Sequence, residues 1–188
     1  IRRKPSPSGT AIPSLSESGS VPITRDAPIF FPSSRDMERA EASSGFGNFG
    51  AFDEISEDET KKVIDLNVKA LVGITHMVIP YMERGGRIIE LGSGSCFTPL
   101  PYFNIYSSSK VFVLHYTKAL NYEIKKYGLK ATCFCPGWVE TDFLEKSVAN
   151  GNTHPKSMKP LLNCERVVRG CVKASIKGRK MYVTNWYT

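Results

Sequence analysis

Two side chains near the middle of the chain have the types and the spacing of an acid–base pair. Tyr106 and Lys110 stand four residues apart in YSSSK, so on a helix they project from one face about one turn apart. An ammonium beside a phenol favours the phenolate and lowers the phenol pKa from about 10. Such a tyrosine can act as a general acid or base near neutral pH. Taken alone, Y-x-x-x-K is also common on ordinary surface helices.

Other polar residues follow apolar runs that predict strands. Ser93 follows GRIIEL, 13 residues before Tyr106, and Ser95 is a second candidate at a spacing of 11. The residues after the next apolar run, LKATCFC, include Pro136, Gly137, Val139 and Thr141. Open α/β sheets bind ligands in the crevice beyond the carboxyl ends of their strands. We therefore expect both groups near the Tyr106–Lys110 pair.

Asn67 interrupts an otherwise apolar helical stripe. The stripe consists of Val63, Ile64, Leu71 and Ile74. A buried amide without partners costs about 1–3 kcal/mol. Asn67 is therefore either a polar residue tolerated at the helix edge or a residue with a role in the site.

The predicted elements alternate between helices and strands. A capping box of Ser56 and Glu59 predicts a helix that ends near Arg84, before Gly85-Gly86. Further helices are predicted at about 105–127, ended by Gly128, and at 165–177. Strands are predicted at about 87–92, 129–135 and 180–185, and a loop of about 24 residues follows the second of them. This order predicts an α/β fold with a parallel sheet and helices on its faces.

The segment GFGNFG, residues 45–50, matches G-x-G-x-x-G, the turn that binds a dinucleotide pyrophosphate. Asp65 stands about where an acid would bind the ribose. The fingerprint requires a strand directly before it, and the preceding RDMERAEASS is charged and small. Asp65 also falls inside the predicted helix. We interpret residues 45–50 as a bend before that helix and, at most, as a wall of the cleft.

Composition divides the chain into two parts. Residues 1–44 carry half of the 12 prolines together with frequent serine, which predicts an irregular or disordered segment. Residues 45–188 have the pattern of a folded domain. The net charge of +7 is interpreted as solvated surface, without a nucleic-acid site.

Cysteine usage and hydropathy indicate a cytoplasmic protein. The five cysteines show no C-x-x-C spacing and no nearby histidine at metal-ligand spacing, so no metal site is predicted. Cys133 and Cys135 are expected to be buried strand thiols, and an odd number of scattered cysteines favours a reducing compartment. The most apolar stretch, 64–82, contains too many polar residues for a membrane span.

Taken together, these residues resemble the short-chain dehydrogenase/reductase (SDR) family over roughly residues 45–182. The motifs are NVKA with Asn67, IIELGSGSCFTPLP with Ser93, YSSSK with Tyr106 and Lys110, and PGWVETDF with Thr141. The resemblance implies a partial Rossmann-like, doubly wound parallel sheet. It also implies NAD or NADP as the cofactor, without distinguishing them, and hydride transfer to or from a carbonyl or secondary alcohol.

The resemblance also implies a role for each residue. Tyr106 would be the catalytic acid/base, and Ser93 would hydrogen-bond the substrate oxygen. Lys110 would lower the pKa of Tyr106 and, with it, hold the nicotinamide ribose, and Asn67 would order a water in the proton relay. The nicotinamide would be lined by Pro136, Gly137, Val139 and Thr141.

The chain departs from the family pattern before residue 45. The family's TGxxxGxG strand–turn–helix is missing, and ASSG stands where the family has an Asn-Asn-Ala-Gly-like strand end. We therefore expect an N-terminally incomplete enzyme that binds NADH or NADPH poorly on its own. One hypothesis is that residues 1–43 are an out-of-frame start, which the upstream DNA would test.

Two alternatives remain open at this stage. The chain could be a non-catalytic module that forms a homo-oligomer through the helices at about 56–84 and 105–127. It could also be a sugar-nucleotide epimerase, which shares Y-x-x-x-K, although PGWVETDF fits the reductase pattern better. The loop at 142–160 would supply much of the substrate pocket.

Overall fold

The computed structural model describes residues 39–42, 45–148 and 161–184, which form a four-stranded sheet with helices on both faces. The strands lie side by side in chain order, and all three neighbouring pairs are parallel. They are β1 Arg39–Ala42, β2 Arg87–Leu91, β3 Lys130–Cys135 and β4 Met181–Val183. The predicted α/β fold class is confirmed.

The helix after β1 begins at the predicted capping box. The Ser56 hydroxyl accepts a hydrogen bond from the Glu59 N–H at 3.3 Å, and the Glu59 carboxylate accepts from the Ser56 N–H at 3.1 Å. The helical segments are α1 Glu57–Ile64, a π-helical turn Asp65–Ala70, α2 Leu71–Val78 and a 3₁₀ turn Ile79–Tyr81. The predicted end near Arg84 is three residues late, because the backbone is already extended at Met82.

The longest helix lies between β2 and β3 and carries the YSSSK motif. It is α3 Asn104–Glu123, which continues as a 3₁₀ turn Ile124–Tyr127. Gly128 follows with φ +75°, the left-handed conformation that glycine adopts most readily, so the predicted C-cap is confirmed. Helix α5 spans Cys164–Ile176, close to its predicted bounds.

The segment predicted as a long loop after β3 contains a further helix. This helix, α4, spans Phe143–Val148, and the later part of the segment, 149–160, lies outside the described residues. The prediction of a long loop was therefore wrong for the first half of this segment, which contains α4. Phe143 and Leu144 of the expected substrate loop stand on a helix, while Met158 falls outside the described residues.

Alternate strand residues face opposite helical layers. Ile88 of β2 packs with Leu120 and Ile124 on the α3 side, whereas Ile89 packs with Val167 and Cys171 of α5. Glu90 shares the face of Ile88, as the period of two in a strand requires. The sheet is thus covered on both sides, which confirms the doubly wound arrangement.

Strand β1 lies inside the segment that was predicted to be irregular. All four of its residues pair with β2, from Arg39 opposite Arg87 to Ala42 opposite Glu90. The prediction failed because a strand held by backbone bonds to a neighbour needs no β-branched run of its own. The rest of the predicted irregular segment, 1–38 and 43–44, and with it most of the proposed out-of-frame start, lies outside the described residues.

One helix has the length and hydropathy of a membrane span. The continuous helix Glu57–Tyr81 is 25 residues long and apolar enough to cross a membrane by length and composition. Core helices of α/β domains can satisfy the same criterion, and 22% of the apolar window of this helix is buried inside the described part of the fold. Its buried Asn67 and its packing against α3 match a layer of the domain.

Candidate active site

The carboxyl ends of β2 and β3 open into a cavity of about 670 Å³. Seven of the predicted site residues line it: Ser93, Tyr106, Lys110, Pro136, Gly137, Val139 and Thr141. Ser95, the second serine candidate, lines it as well. The predicted crevice beyond the strand ends therefore exists, and Asn67 lies behind it rather than in its wall.

Asn67 is fully buried in the π-helical turn and has hydrogen-bonding partners on two other segments. Its Oδ1 accepts from the Phe46 N–H at 2.9 Å, and its Nδ2 donates to the Phe46 carbonyl and to the Ser109 hydroxyl, both at 2.9 Å. The partners satisfy the amide, so Asn67 is not a polar residue at the helix edge. It ties residues 45–47 to α3. Its predicted water-ordering role stays a prediction.

Lys110 is buried at the bottom of the cavity. Its Nζ donates to the Leu91 carbonyl at 2.8 Å, at the end of β2. A Cβ placed on Gly45 would lie 2.7 Å from that Nζ, so a larger residue there would displace the end of the lysine side chain. Burial lowers the pKa of Lys110 to about 8, an effect that the neighbouring thiols of Cys96 and Cys133 partly oppose.

Tyr106 lies between aromatic rings in the first turn of α3. Its ring centroid is 4.3 Å from that of Phe103 and 5.3 Å from that of Phe143, and the Lys110 Nζ is 5.6 Å from the same centroid. Burial raises the pKa of Tyr106 above 10, and a hydrogen bond with the Ser93 side chain lowers it only in part.

The expected net lowering of the Tyr106 pKa is therefore wrong for this structure, because burial raises it, whereas the role of Lys110 in stabilising the phenolate stays a prediction. Desolvation of the phenolate is the largest effect on the Tyr106 pKa, and the Lys110 Nζ, 5.6 Å from the ring centroid, is already bound to the Leu91 carbonyl. Tyr106 is consequently a neutral phenol near pH 7, with a proton to donate.

Ser93 stands two residues past β2 and is in contact with Tyr106. Its side chain takes part in the hydrogen bond that affects the Tyr106 pKa, and its hydroxyl accepts from the Ser95 N–H at 3.1 Å. The Ser95 hydroxyl is buried without a hydrogen-bond partner among the described residues. The geometry thus favours Ser93 over Ser95 as the partner of Tyr106.

The wall formed by residues 136–141 crosses the carboxyl ends of the strands. The Pro136 carbonyl accepts from the Gly94 N–H at 2.7 Å, and the Gly137 N–H donates to the Thr184 hydroxyl at 2.8 Å. Val139 pairs with Leu162 in an isolated parallel bridge. These bonds fix the wall to the ends of β2 and β4. Thr141 is exposed at its far end.

Sequence reasoning missed the position of Gly47 in GFGNFG. A Cβ at Gly47 would lie 2.6 Å from a ring carbon of Tyr106 and 2.8 Å from the Phe103 ring. The segment therefore packs directly on the tyrosine and does more than form a wall. A strand does precede it, but the next helix begins only at Glu57, so the pyrophosphate fingerprint still fails.

Glu90 is a second group that sequence reasoning missed, although it is the one acid in the apolar run RIIEL. It is fully buried, its Oε1 is 2.7 Å from the Thr75 hydroxyl, and its Oε2 has no hydrogen-bond partner among the described residues. Burial raises the pKa of Glu90 to about 7, while Thr75 and Lys110 act in the opposite direction.

The Thr75 contacts fit a protonated Glu90. The Thr75 hydroxyl also lies 2.8 Å from the Leu71 carbonyl, and it has a single hydrogen to donate. If Glu90 carries a proton, it can donate to Thr75 while Thr75 donates to Leu71. Both contacts are then satisfied at once.

The predicted buried strand thiols are confirmed. Cys133 and Cys135 are fully buried, with their Sγ atoms 3.6 Å apart, and no disulfide joins any of the five cysteines, all of which lie in described ranges. Within those ranges, no group of three or more His, Cys, Asp or Glu side chains could hold a metal ion.

The described residues fit one half of a nicotinamide cofactor. Tyr106 and Lys110 line one side of the cavity, and Pro136, Gly137, Val139 and Thr141 line another, as the resemblance requires for the nicotinamide and its ribose. Over residues 39–42, 45–148 and 161–184, no glycine-rich turn opens a helix in the way that a pyrophosphate site requires.

The chain is similar to known short-chain dehydrogenases. Residues 42–152 match the family model described as short chain dehydrogenase. Human dehydrogenase/reductase SDR family member 4 is 32% identical over 121 residues, which are 63% of this chain and 43% of that protein. Human inactive hydroxysteroid dehydrogenase-like protein 1 is 33% identical over 98 residues, 51% of this chain and 30% of that protein. The chain thus spans less than half the length of these relatives.

Solved structures share the fold. A short-chain dehydrogenase from Sphingobium yanoikuyae in complex with NADPH superposes with a TM-score of 0.70 at 18% identity, covering 80% of this chain and 58% of that one. Identity at this level shows the fold alone.

Proposed function

The chain belongs to the short-chain dehydrogenase family. We therefore propose that it acts as an oxidoreductase that interconverts a carbonyl and a secondary alcohol with NAD or NADP. The observation that carries the proposal is the meeting of Ser93, Tyr106 and Lys110 at one cavity. The dehydrogenase and reductase names of the relatives support redox chemistry over the epimerase alternative.

The chain's own residues can handle the proton and the charge. A bound nicotinamide would supply or accept the hydride. In the reductive direction, Tyr106 donates its proton to the carbonyl oxygen, and the Ser93 hydroxyl donates a hydrogen bond to the same oxygen as negative charge develops there. The Lys110 ammonium then stabilises the resulting phenolate.

The pH dependence of the two directions follows from these groups. Burial raises the Tyr106 pKa, so the phenol needed for reduction is present throughout the neutral range. Alcohol oxidation requires the phenolate and is favoured as pH rises. Lys110, with a pKa of about 8, loses its charge on the same side of neutrality, which limits the gain.

Steady-state assays of ketone reduction with NADH and NADPH test the proposal. At millimolar nucleotide, which offsets the poor cofactor binding expected of this chain, we expect turnover that the Tyr106→Phe substitution removes. Turnover that is equal in the original chain and in Y106F would contradict the assignment of Tyr106. Fluorescence titration with each nucleotide separates weak cofactor binding from a defect in chemistry.

A non-catalytic, self-associating module is the second candidate, and two observations favour it. The name of one relative describes it as inactive. Large apolar side chains are also exposed on the two predicted interface helices, among them Met77, Tyr81, Phe112 and Tyr122. We propose that the helices Glu57–Tyr81 and α3 pair with a second copy of the chain. Sedimentation velocity tests this, and a monomer at tens of micromolar would contradict it.

We also propose that the protein works in the cytoplasm. The support is chemical: the buried thiols Cys96, Cys133 and Cys135 lie close to Lys110 and remain reduced thiols here. Cell fractionation tests it, and recovery of the protein in an oxidising compartment would contradict it.

A further inference from the structure

Aromatic rings form much of the cavity's inner surface. Four of them are only partly buried although they face a concave site: Phe46, Tyr106, Trp138 and Phe143. Partly exposed aromatic side chains in a concave pocket are the usual apolar binding surface for a small molecule. Their concentration beside Tyr106 indicates that this part of the cavity binds an uncharged, apolar part of the substrate.

The rings around Tyr106 are arranged as a stack. Phe49 and Phe103 are nearly parallel with centroids 3.8 Å apart, and Phe103 and Tyr106 follow at 4.3 Å. Phe143 stands on the Tyr106 ring at 5.3 Å and 44°. Phe49 and Phe103 are almost fully buried, so the lower part of the stack is fixed and holds the partly exposed Tyr106 ring in place.

Charged groups offer little to an anionic substrate. The charged residues among the described lining are Lys110, Asp142 and Lys146. The Lys110 Nζ already donates to the Leu91 carbonyl, and Asp142 and Lys146 are exposed. Among the described lining residues, a carboxylate or sulfonate would therefore find Lys110 as its one buried cation, and that ammonium is already partly engaged.

From these observations we propose that the substrate is an uncharged ketone or secondary alcohol with an aromatic ring beside the reacting carbon. Phe143 and Trp138 set this preference by contacting that ring. The inference rests on the proposed oxidoreductase function for the reacting carbon, but the aromatic preference itself is a property of the cavity and can be measured without turnover.

Binding of three matched probes tests the preference. Acetophenone and cyclohexyl methyl ketone share a carbon skeleton and differ in aromaticity, and 4-acetylbenzoate adds a negative charge. We expect saturation-transfer NMR titrations to give about fivefold tighter binding of acetophenone than of the cyclohexyl ketone, as one aromatic contact provides. The anionic probe should bind more weakly than acetophenone.

Two phenylalanines provide a matched pair of variants. Phe143→Leu removes the ring that faces the cavity. It should bring the ratio of the acetophenone affinity to the cyclohexyl methyl ketone affinity close to one. Phe52→Leu removes a ring that is 90% exposed and outside the cavity lining, and it should leave the preference unchanged. Trp138→Leu is a second variant that removes a ring of the cavity, and it should lower the preference in the same way as Phe143→Leu.

The outcomes separate this inference from the proposed function. Equal binding of the two neutral ketones, tighter binding of the anionic probe, no binding of any probe, or an unchanged preference in both F143L and W138L would each overturn the inference. Aromatic preference without reduction by NADH or NADPH supports it while counting against the function. Reduction that favours the cyclohexyl ketone supports the function and overturns the inference.

Discussion

The two edges of the sheet are built from different chemistry. At the amino edge, where the strands begin, an aliphatic cluster is buried: Ile88, Leu120, Ile124, Leu129 and Ala131. At the carboxyl edge, Glu90, Lys110 and Asn67 are buried, and the Lys110 Nζ lies 5.6 Å from the centroid of the Tyr106 ring. Aliphatic burial stabilises the fold, whereas burying ionisable groups costs free energy. The buried polar groups at the carboxyl edge therefore do not serve stability, and we attribute them to the function of the site.

The same contrast shows in how precisely each edge fixes its side chains. Gly45 and Gly47 leave no room for a Cβ beside Lys110 and Tyr106, and Asn67 has a partner for each of its polar atoms. An aliphatic cluster tolerates small changes of shape. Substitutions at the carboxyl edge should consequently change the site, while substitutions at the amino edge should change stability alone.

The largest expected effect is the loss of turnover caused by the Tyr106→Phe substitution at the carboxyl edge. Loss of the proton donor should lower kcat on the order of 10²–10⁴-fold, the usual range for a general acid. Stability should change little. Tyr122→Phe, at an exposed position of α3 toward the amino edge, is the matched control for steady-state kinetics. A similar loss in both variants would remove the contrast.

Glu90→Gln should stabilise the fold in a pH-dependent way. The ordinary pKa of 4.5 rises to about 7 in the fold, so the folded state binds more protons than the unfolded chain between these values. Stability is then full below pH 4.5 and falls as pH rises through 7. The amide removes a penalty of up to about 3 kcal/mol at pH 8 and little at pH 5.

Urea unfolding at both pH values measures this difference. Loss of the Glu90 charge also lowers the Lys110 pKa further, which offsets part of the gain, and Thr75 and Tyr116 are the other groups that face the carboxyl. Glu123→Gln, at an exposed site on α3, is the control. An equal gain at pH 5 and pH 8 would contradict burial of an ionisable Glu90.

A pair of glycines gives an intermediate effect. Gly47→Ala should destabilise the fold by about 1–3 kcal/mol, because the new methyl overlaps the Tyr106 and Phe103 rings. In Gly73→Ala of α2, the added Cβ has no neighbour within 4 Å. This substitution should raise the free energy of unfolding by up to about 1 kcal/mol through the higher helix propensity of alanine. Thermal unfolding measures both. A neutral G47A would show that the rings can move away.

The smallest effect is expected at the amino edge. Ile88→Val removes one methyl group from the aliphatic cluster and should cost about 0.5–1.5 kcal/mol of unfolding free energy. Ketone affinity and the pH dependence of stability should stay as they are. A change in ketone binding would mean that the two edges are coupled through β2.

The sequence was sufficient for residues whose type and spacing are local. Tyr106 and Lys110 are one helical turn apart, and Ser93 follows an apolar run, so their meeting at the strand ends could be predicted. The Ser56 capping box and the Gly128 C-cap are local for the same reason. Such features need only one helix or one strand end to be recognised.

Features that depend on distant neighbours could not be predicted. Gly47 meets Tyr106 across 59 positions, and β1 is a strand because β2 lies beside it. The sign of the Tyr106 pKa shift depends on burial by Phe103 and Phe143, which spacing alone does not reveal. The burial of Glu90 likewise follows from helices on both faces of the sheet.

The hydrogen bond from Gly137 to Thr184 has a consequence for how the site is made. It joins positions 47 apart, and the bonds of Asn67 to Phe46 and Ser109 join positions 21 and 42 apart. Contacts of such separation form only after long loops have closed, which is slow. The cavity should therefore be assembled late in folding. A ligand bound there would slow unfolding and leave the folding rate nearly unchanged.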